Sequence, residues 1–254
     1  MTQKKLVVAN WKMNKGIIES QKFVQELKAY FDKNKDLNCD VVICPPFTSL
    51  EIVNRIVSDT PVKLGAQNVH YETNGAYTGE ISCSMLKSCG CKYVIAGHSE
   101  RRLYFGETNE IVNKKVLKVL DEGLKPILCV GETLAEHEDK ITEAVISEQL
   151  RICMNHVSID SIKKVVIAYE PVWAIGTGKN ATPQYAESIH NFIRKKIKKM
   201  FDEQASQQLR ILYGGSITPE NAKSLFAPAA INGGLVGGAS LDEKKFIHII
   251  NSAN

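Results

Sequence analysis

The chain has 254 residues, of which 44% are apolar and 24% charged, and 32 basic side chains face 28 acidic ones for a formal charge of +4. That is an ordinary globular composition, and the charge is too mild and too evenly spread to argue for a nucleic-acid partner. The length fits one large α/β domain or two small ones.

Seven cysteines are present: Cys39, Cys44, Cys83, Cys89, Cys91, Cys129 and Cys153. The count is odd, no C-x-x-C pair occurs, and several lie in apolar runs where cysteine behaves as a small hydrophobe. Reduced thiols in a cytoplasmic protein are therefore expected, and a disulfide framework or zinc site is not. The apolar run after Lys4-Lys5 is too short for a secretory signal, and no run reaches membrane-spanning length. The one basic cluster, Arg194-Lys195-Lys196 with Lys198-Lys199, sits in a helical pattern and reads as a solvated face.

Leu6 to Ala9 reads as the first strand, and it runs out into the polar segment Asn10-Trp11-Lys12-Met13-Asn14. Phe23, Val24, Leu27, Tyr30 and Phe31 then recur at helical spacing. Asp40 to Cys44 is a second strand, stopped by Pro45-Pro46, and Leu50, Ile52, Val53, Ile56 and Val57 mark a second helix. Val62 to Gln67 is the third strand. Asn68 to Ser82 lacks periodicity and carries the turn pairs Asn74-Gly75 and Thr78-Gly79. So long a loop is unusual in a compact domain, and Val69, Tyr71, Tyr77 and Ile81 argue for an ordered loop that packs against something, such as another subunit. A short helix follows near Ser84 to Ser88.

Tyr93 to Gly97 is the fourth strand, exiting on His98-Ser99-Glu100-Arg101. Ile111, Val112, Val116, Val119 and Leu120 form a helix ended by Gly123. Pro126 to Val130 is the fifth strand, exiting on Gly131-Glu132, and a helix spans about Ile141 to Met154. Val165 to Tyr169 is the sixth strand. It ends on Glu170, which the following Pro171 steers toward extended geometry. An apolar patch, Val172 to Ile175, leads to Gly176-Thr177-Gly178, so the stretch reads as a small lid hinged at both ends. Thr182-Pro183 starts a helix carrying Ile189, Phe192, Ile193, Ile197 and Met200. Arg210 to Tyr213 is the seventh strand, exiting on Gly214-Gly215-Ser216, and Thr218-Pro219 starts a short helix. Gly234 to Val236 is the eighth, exiting on Gly237-Gly238, and Phe246, Ile247 and Ile250 mark the last helix.

Strands alternating with helices imply a parallel sheet. Eight such units, with no linker or break in composition, predict a single-domain (β/α)₈ barrel over residues 1–254. An open doubly wound sheet would want a glycine-rich fingerprint after the first strand, where this chain has Asn10-Trp11-Lys12. In a barrel the carboxyl ends of all strands share one face. Lys12, His98 and Glu170 then converge with the glycine-rich exits Ser216, Gly237 and Gly238. Glycine-rich turns of this kind form anion-binding nests, so a phosphate is expected there, with Lys12 as a fixed positive charge. Glu170, desolvated by a closing lid, would have its pKa raised toward the working pH and act as a base. His98, kept neutral by a helix N-terminus, would donate a hydrogen bond to a carbonyl oxygen. Together these groups suit proton abstraction next to a carbonyl. Two other readings are a barrel aldolase with Lys12 as a Schiff-base amine and a barrel kept only for binding.

Several segments resemble the triosephosphate isomerase family: Asn10 to Asn14, Gln67-Asn68-Val69, Gly75 to Glu80, Gly97 to Arg102, Ala168 to Gly178, Tyr213 to Ser216 and Leu235 to Ser240. The resemblance covers essentially the whole chain. It implies interconversion of dihydroxyacetone phosphate and D-glyceraldehyde 3-phosphate in glycolysis and gluconeogenesis, without a metal or organic cofactor. It implies Glu170 as base, His98 as electrophile, Lys12 and Asn10 as substrate contacts, and Gly176, Ser216, Gly237 and Gly238 as phosphate binders through their N–H groups. Glu100 resembles the family's supporting glutamate, and Cys129 matches a buried cysteine with a packing role. The loop around Thr78 resembles one that inserts into a partner subunit near Met13, implying a homodimer. Asn232, Asn109 and His137 depart from the family pattern, where acidic residues and an arginine are common.

Overall fold

The computed structural model describes residues 3–174 and 181–254. Eight strands follow one another as β1 (Lys5–Asn10), β2 (Cys39–Cys44), β3 (Lys63–Ala66), β4 (Tyr93–Ala96), β5 (Lys125–Val130), β6 (Val166–Tyr169), β7 (Arg210–Tyr213) and β8 (Gly233–Val236). Each pairs in parallel with the next, and β8 pairs with β1, so the sheet closes into a (β/α)₈ barrel. The helices are α1 (Ile17–Lys33), α2 (Leu50–Val57), α3 (Cys83–Ser88), α4 (Ser99–Phe105), α5 (Asn109–Asp121), α6 (Leu134–Glu138), α7 (Thr142–Cys153), α8 (Ile159–Ile162), α9 (Pro183–Met200), α10 (Glu203–Gln208), α11 (Pro219–Phe226) and α12 (Glu243–Ser252). The short helices α4, α6, α8 and α10 lie in stretches whose sequence shows no helical apolar stripe, because so few turns bury only a residue or two.

The strand period of two decides which residues see the barrel interior. Leu6 and Val8 of β1 pack inside with Val42, Ile95, Ile127, Val166, Leu212 and Leu235. Val7 and Ala9, one step out of phase, pack under the helices with Phe23, Val24 and Leu27 of α1. The same parity, carried one residue beyond β6, turns Glu170 toward the interior axis. Arg210 donates to Asp40 at 2.7 Å and to the Tyr93 hydroxyl at 3.3 Å, so polar groups tie strands together at the amino end of the barrel.

Helix starts follow the local chemistry that the sequence supplies. Thr108, Thr133, Ser158, Thr182 and Asp242 each accept a backbone N–H from the first turn of the helix they precede. Such a cap stabilises a helix by about 1 kcal/mol. Pro183 occupies the first turn of α9, where its missing N–H has no intrahelical partner to lose. The loop between β3 and α3 is ordered at its root, where the His70 N–H donates to Ile81 O at 2.8 Å. Its tip, including Tyr77 and Thr78, is exposed. All seven cysteines are unpaired. No helix among the described residues is long and apolar enough to cross a membrane.

His190 of α9 is fully buried, with its ring edge-on to Tyr169, and its Nδ1 lies 3.3 Å from Ala230 O. That carbonyl partner assigns the proton to Nδ1, and burial lowers the pKa from 6.5 to about 3. The unfolded chain therefore takes up this proton first as the pH falls. Stability should drop by about 1.4 kcal/mol per pH unit from this group as the pH falls below the ordinary histidine value. The drop should end near the folded value of about 3. Chemical denaturation across that range should show the slope, and His190→Leu should remove it.

Candidate active site

Five strand exits bring the chemistry together. Asn10 ends β1, and the next turn carries Lys12. His98 follows β4 and caps α4. Glu170 follows β6. A cavity of about 540 Å³ at this end of the barrel is lined by Asn10, Lys12, His98, Glu170, Ser216, Gly237 and Gly238. The sequence-predicted groups thus share one cavity. Gly176 and the second half of the expected lid, residues 175–178, lie outside the described residues. Glu100 lies at the mouth of an adjoining cavity of about 210 Å³, which Met13, Phe47, Gln67, Arg101 and Phe105 also line.

Glu170 is 2% exposed, and each of its oxygens has a donor. Oε2 accepts the Ser99 N–H at 2.8 Å, and Oε1 lies 3.0 Å from His98 Nε2. His98 Nδ1 accepts the Glu100 N–H at 3.2 Å. An imidazolium would carry a proton at Nδ1 and oppose that N–H, so the bond assigns a neutral ring with its proton on Nε2. Burial favours the protonated acid at Glu170, but the His98 ring and the Ser99 N–H outweigh it, and the pKa is lowered. The raised pKa is expected with the lid closed, and residues 175–178 of that lid lie outside the described residues; here burial acts in the expected direction and two donors in contact with the carboxylate reverse the outcome. Burial also opposes charge on His98, yet the Glu170 carboxylate overrides it and raises the pKa. The two shifts belong to one coupled pair, and the Nδ1 acceptor bond decides its resting state as carboxylate and neutral imidazole.

Lys12 is held with some strain. Its φ is +52°, a region that few residues other than glycine occupy. Gln67 holds it there, donating from Nε2 to Lys12 O at 2.8 Å and to Cys44 O at 3.0 Å. Asn10 Oδ1 accepts the Lys12 N–H at 3.1 Å. The ammonium pairs with Glu100 Oε1 at 2.7 Å. Its chain passes over Gly237, where a Cβ would stand 3.3 Å from Lys12 Cε. The N–H groups of Ser216, Gly237 and Gly238 have no protein acceptor among the described residues. A cation and three free N–H groups on one cavity wall can hold a small anion.

Other groups support the site through side-chain contacts that spacing in the sequence does not reveal. Glu132, fully buried, accepts from the Tyr169 hydroxyl at 3.0 Å and from Trp173 Nε1 at 2.7 Å. This fixes a 3-10 turn over Val172–Ala174, just after Glu170. His137 stacks on Trp173 with ring centroids 4.3 Å apart. Behind Asn10 and His98, buried Glu107 pairs with both Lys115 and Arg101. Among the described residues no three His, Cys, Asp or Glu side chains gather in a way that could hold a metal ion.

A family-wide sequence profile described as Triosephosphate isomerase matches residues 5–253. The chain belongs to the triosephosphate isomerase family. Among curated proteins it is 51% identical to the Triosephosphate isomerase of Chlorobium chlorochromatii (strain CaD3) over 251 residues, covering 99% of this chain and 98% of that one. It is 49% identical to that of Chloroherpeton thalassium (strain ATCC 35110 / GB-78), covering 99% of both chains. It is 48% identical to that of Dictyoglomus turgidum (strain DSM 6724 / Z-1310), covering 98% of this chain and 100% of that one.

Two of the departures from the family pattern, Asn232 and Asn109, accept hydrogen bonds from arginine. Asn232 Oδ1 accepts from Arg194 at 2.8 Å and from the Ile211 N–H at 2.9 Å. Asn109 Oδ1 accepts from Arg102 at 2.7 Å. Neither touches the cavity. The strained Lys12 backbone gives a direct test of the Gln67 clamp. Gln67→Leu should leave the Lys12 carbonyl without its donor and Cys44 O with only the Trp11 N–H, at about 1–3 kcal/mol of stability, and weaken inorganic phosphate binding several-fold. Thermal melts and phosphate titration of the variant check both effects.

Proposed function

We propose that this chain interconverts dihydroxyacetone phosphate and D-glyceraldehyde 3-phosphate, with Glu170 moving the proton. The observation that carries this reading is the pairing of an ionised, desolvated Glu170 with the Nε2–H of a neutral His98 in one cavity. Family membership names the substrate pair. The substrate phosphate would occupy the wall formed by Lys12 and the N–H groups of Ser216, Gly237 and Gly238, with Gly176 as a further donor. Asn10 would contact the triose, and Glu100 would hold the Lys12 ammonium in place.

In this mechanism the carboxylate exchanges its hydrogen bonds from Ser99 and His98 for the substrate. Glu170 takes a proton from the carbon beside the carbonyl. The electron pair moves onto the carbonyl oxygen, where the His98 Nε2–H and the Lys12 charge stabilise the enediolate. The hydroxyl proton on that first carbon passes to the former carbonyl oxygen by way of the His98 imidazole, and Glu170 returns its proton to the former carbonyl carbon as the first carbon's oxygen becomes the new carbonyl. The hydrogen shift is redox neutral overall, so its balance calls for no electron carrier. Binding the phosphate before proton transfer would hold the reacting carbon within reach of the carboxylate. Glu170→Asp, which withdraws the carboxylate by one methylene, should lower kcat about a hundredfold or more while KM changes little. Steady-state assay in both directions measures this, and unchanged turnover would reject Glu170 as the base.

The same reading has this chain act as a homodimer in the cytoplasm. Met13 is 97% exposed beside the smaller cavity, and the tip around Thr78 stands free of its own barrel. An apolar side chain so exposed next to a pocket favours a partner surface, and the exposed tip of a second copy would suit it. Seven unpaired cysteines fit a reducing compartment. Sedimentation should give twice the chain mass. Thr78→Arg, which puts charge on the inserting tip, should shift the protein to the single-chain mass.

A further inference from the structure

Gly131 lies one residue past β5, beside the backbone of Glu170, and has a side chain as its ladder partner. In a parallel ladder, successive residues turn their N–H and C=O groups to opposite neighbours. Val130 and Glu132 face β6: Val130 O accepts the Glu170 N–H at 2.8 Å, and Glu132 O accepts the Val172 N–H at 3.1 Å. Gly131 faces the β4 side, but β4 has already ended at Ala96, paired with Leu128. Gln149 of α7 fills the gap. Its Oε1 accepts the Gly131 N–H at 2.8 Å, and its Nε2 donates to Gly131 O at 2.9 Å. One carboxamide supplies the acceptor and the donor that a strand residue would have supplied. Arg102 does part of the same work one step earlier, donating to Cys129 O at 3.2 Å.

The contact between Gly131 and Glu170 leaves no slack. A Cβ on residue 131 would stand 1.8 Å from Glu170 O. Any displacement of this peptide must therefore move the backbone that carries the carboxylate. Gln149 does not line the cavity. We infer that Gln149 is a positioning residue for Glu170: by standing in for a missing β4 residue, it fixes the β5 exit against which the base is held. The inference rests on Glu170 being the base of the proposed reaction.

The test uses the full chain in the isomerase assay. Gln149→Leu removes both hydrogen bonds at similar volume, and Gln149→Met does so with an unbranched chain, should leucine distort α7. Each should lower kcat about tenfold or more. KM should stay within about twofold, because the phosphate contacts come from other loops. The acid limb of kcat/KM should move to higher pH, because a displaced Glu170 loses part of its hold on Ser99 and His98. Asn113→Ala is the control. It breaks bonds to Cys153 O at 3.0 Å and Asn155 O at 2.8 Å, at the C-terminal end of α7, without touching Gly131. It should lower the thermal midpoint and leave kcat and the acid limb unchanged. Unchanged kcat and acid limb in both Gln149 variants would overturn the inference, as would an equal loss in Asn113→Ala. An inactive wild-type protein would overturn the proposed function and this inference with it. Active wild type with unchanged Gln149 variants overturns only the inference.

Discussion

A carboxylate removed from water must be given donors or give up its charge. Glu170 receives two, the Ser99 N–H and the His98 Nε2–H, from a segment 71 residues away in the chain. Much of the carboxyl face of the barrel follows from that requirement. β4 must end short of β6, so that the start of α4 can cross to meet the exit of β6. The His98 ring must present Nε2 inward, and it does so because its Nδ1 is occupied by the Glu100 N–H. Loss of one partner from such a buried pair costs about 3–5 kcal/mol, so the same contacts that prepare the base also hold the fold together.

The opposite side of the cavity solves a different problem. A phosphate needs fixed positive charge and open N–H groups. Lys12 pairs with Glu100 and lies over Gly237, so its charge stays at the cavity wall. The unfavourable backbone angle at Lys12 is sustained by Gln67 and Asn10. Base and cation are therefore fixed from different strands, one by the β4 and β6 exits, the other by the β1 and β3 exits, with Glu100 after β4 joining the two. A substrate that bridges them has to bring a phosphate and a reactive carbon at one set spacing.

Much of this was legible in the sequence. Apolar runs alternating with helical stripes located every strand to within a residue or two, because strands buried on both faces are nearly continuous in Val, Ile and Leu. The strand exits then named Lys12, His98, Glu170, Ser216, Gly237 and Gly238, which line one cavity. The sign of the Glu170 shift was not legible. Burial can be guessed from a strand pattern, but Ser99 and the His98 ring become partners only through tertiary contact. Glu132 was visible as a strand exit, yet its partners Tyr169 and Trp173 depend on side-chain direction rather than spacing. Gln149 was invisible, lying on a helix among residues chosen for burial and solvation.

That last case points to how a barrel of unequal strands finishes its rim. Strands that end at different levels leave carbonyl and N–H groups without ladder partners where the cavity must stay open. Adding strand residues would fill the cavity, and water would weaken its electrostatics. Long polar side chains resolve the conflict from the side. Gln67 caps Cys44 O and Lys12 O, Arg102 caps Gly97 O and Cys129 O, and Gln149 caps both groups of Gly131. Asn221 does the same after β7, donating to Ser216 O at 3.1 Å and accepting from the Thr218 N–H at 2.8 Å. Each cap reaches in from a helix or from a strand exit, so the geometry of the site is transmitted from the outer helices as well as from the strands. Substitutions on those helices can therefore reach the chemistry through one hydrogen-bonded side chain.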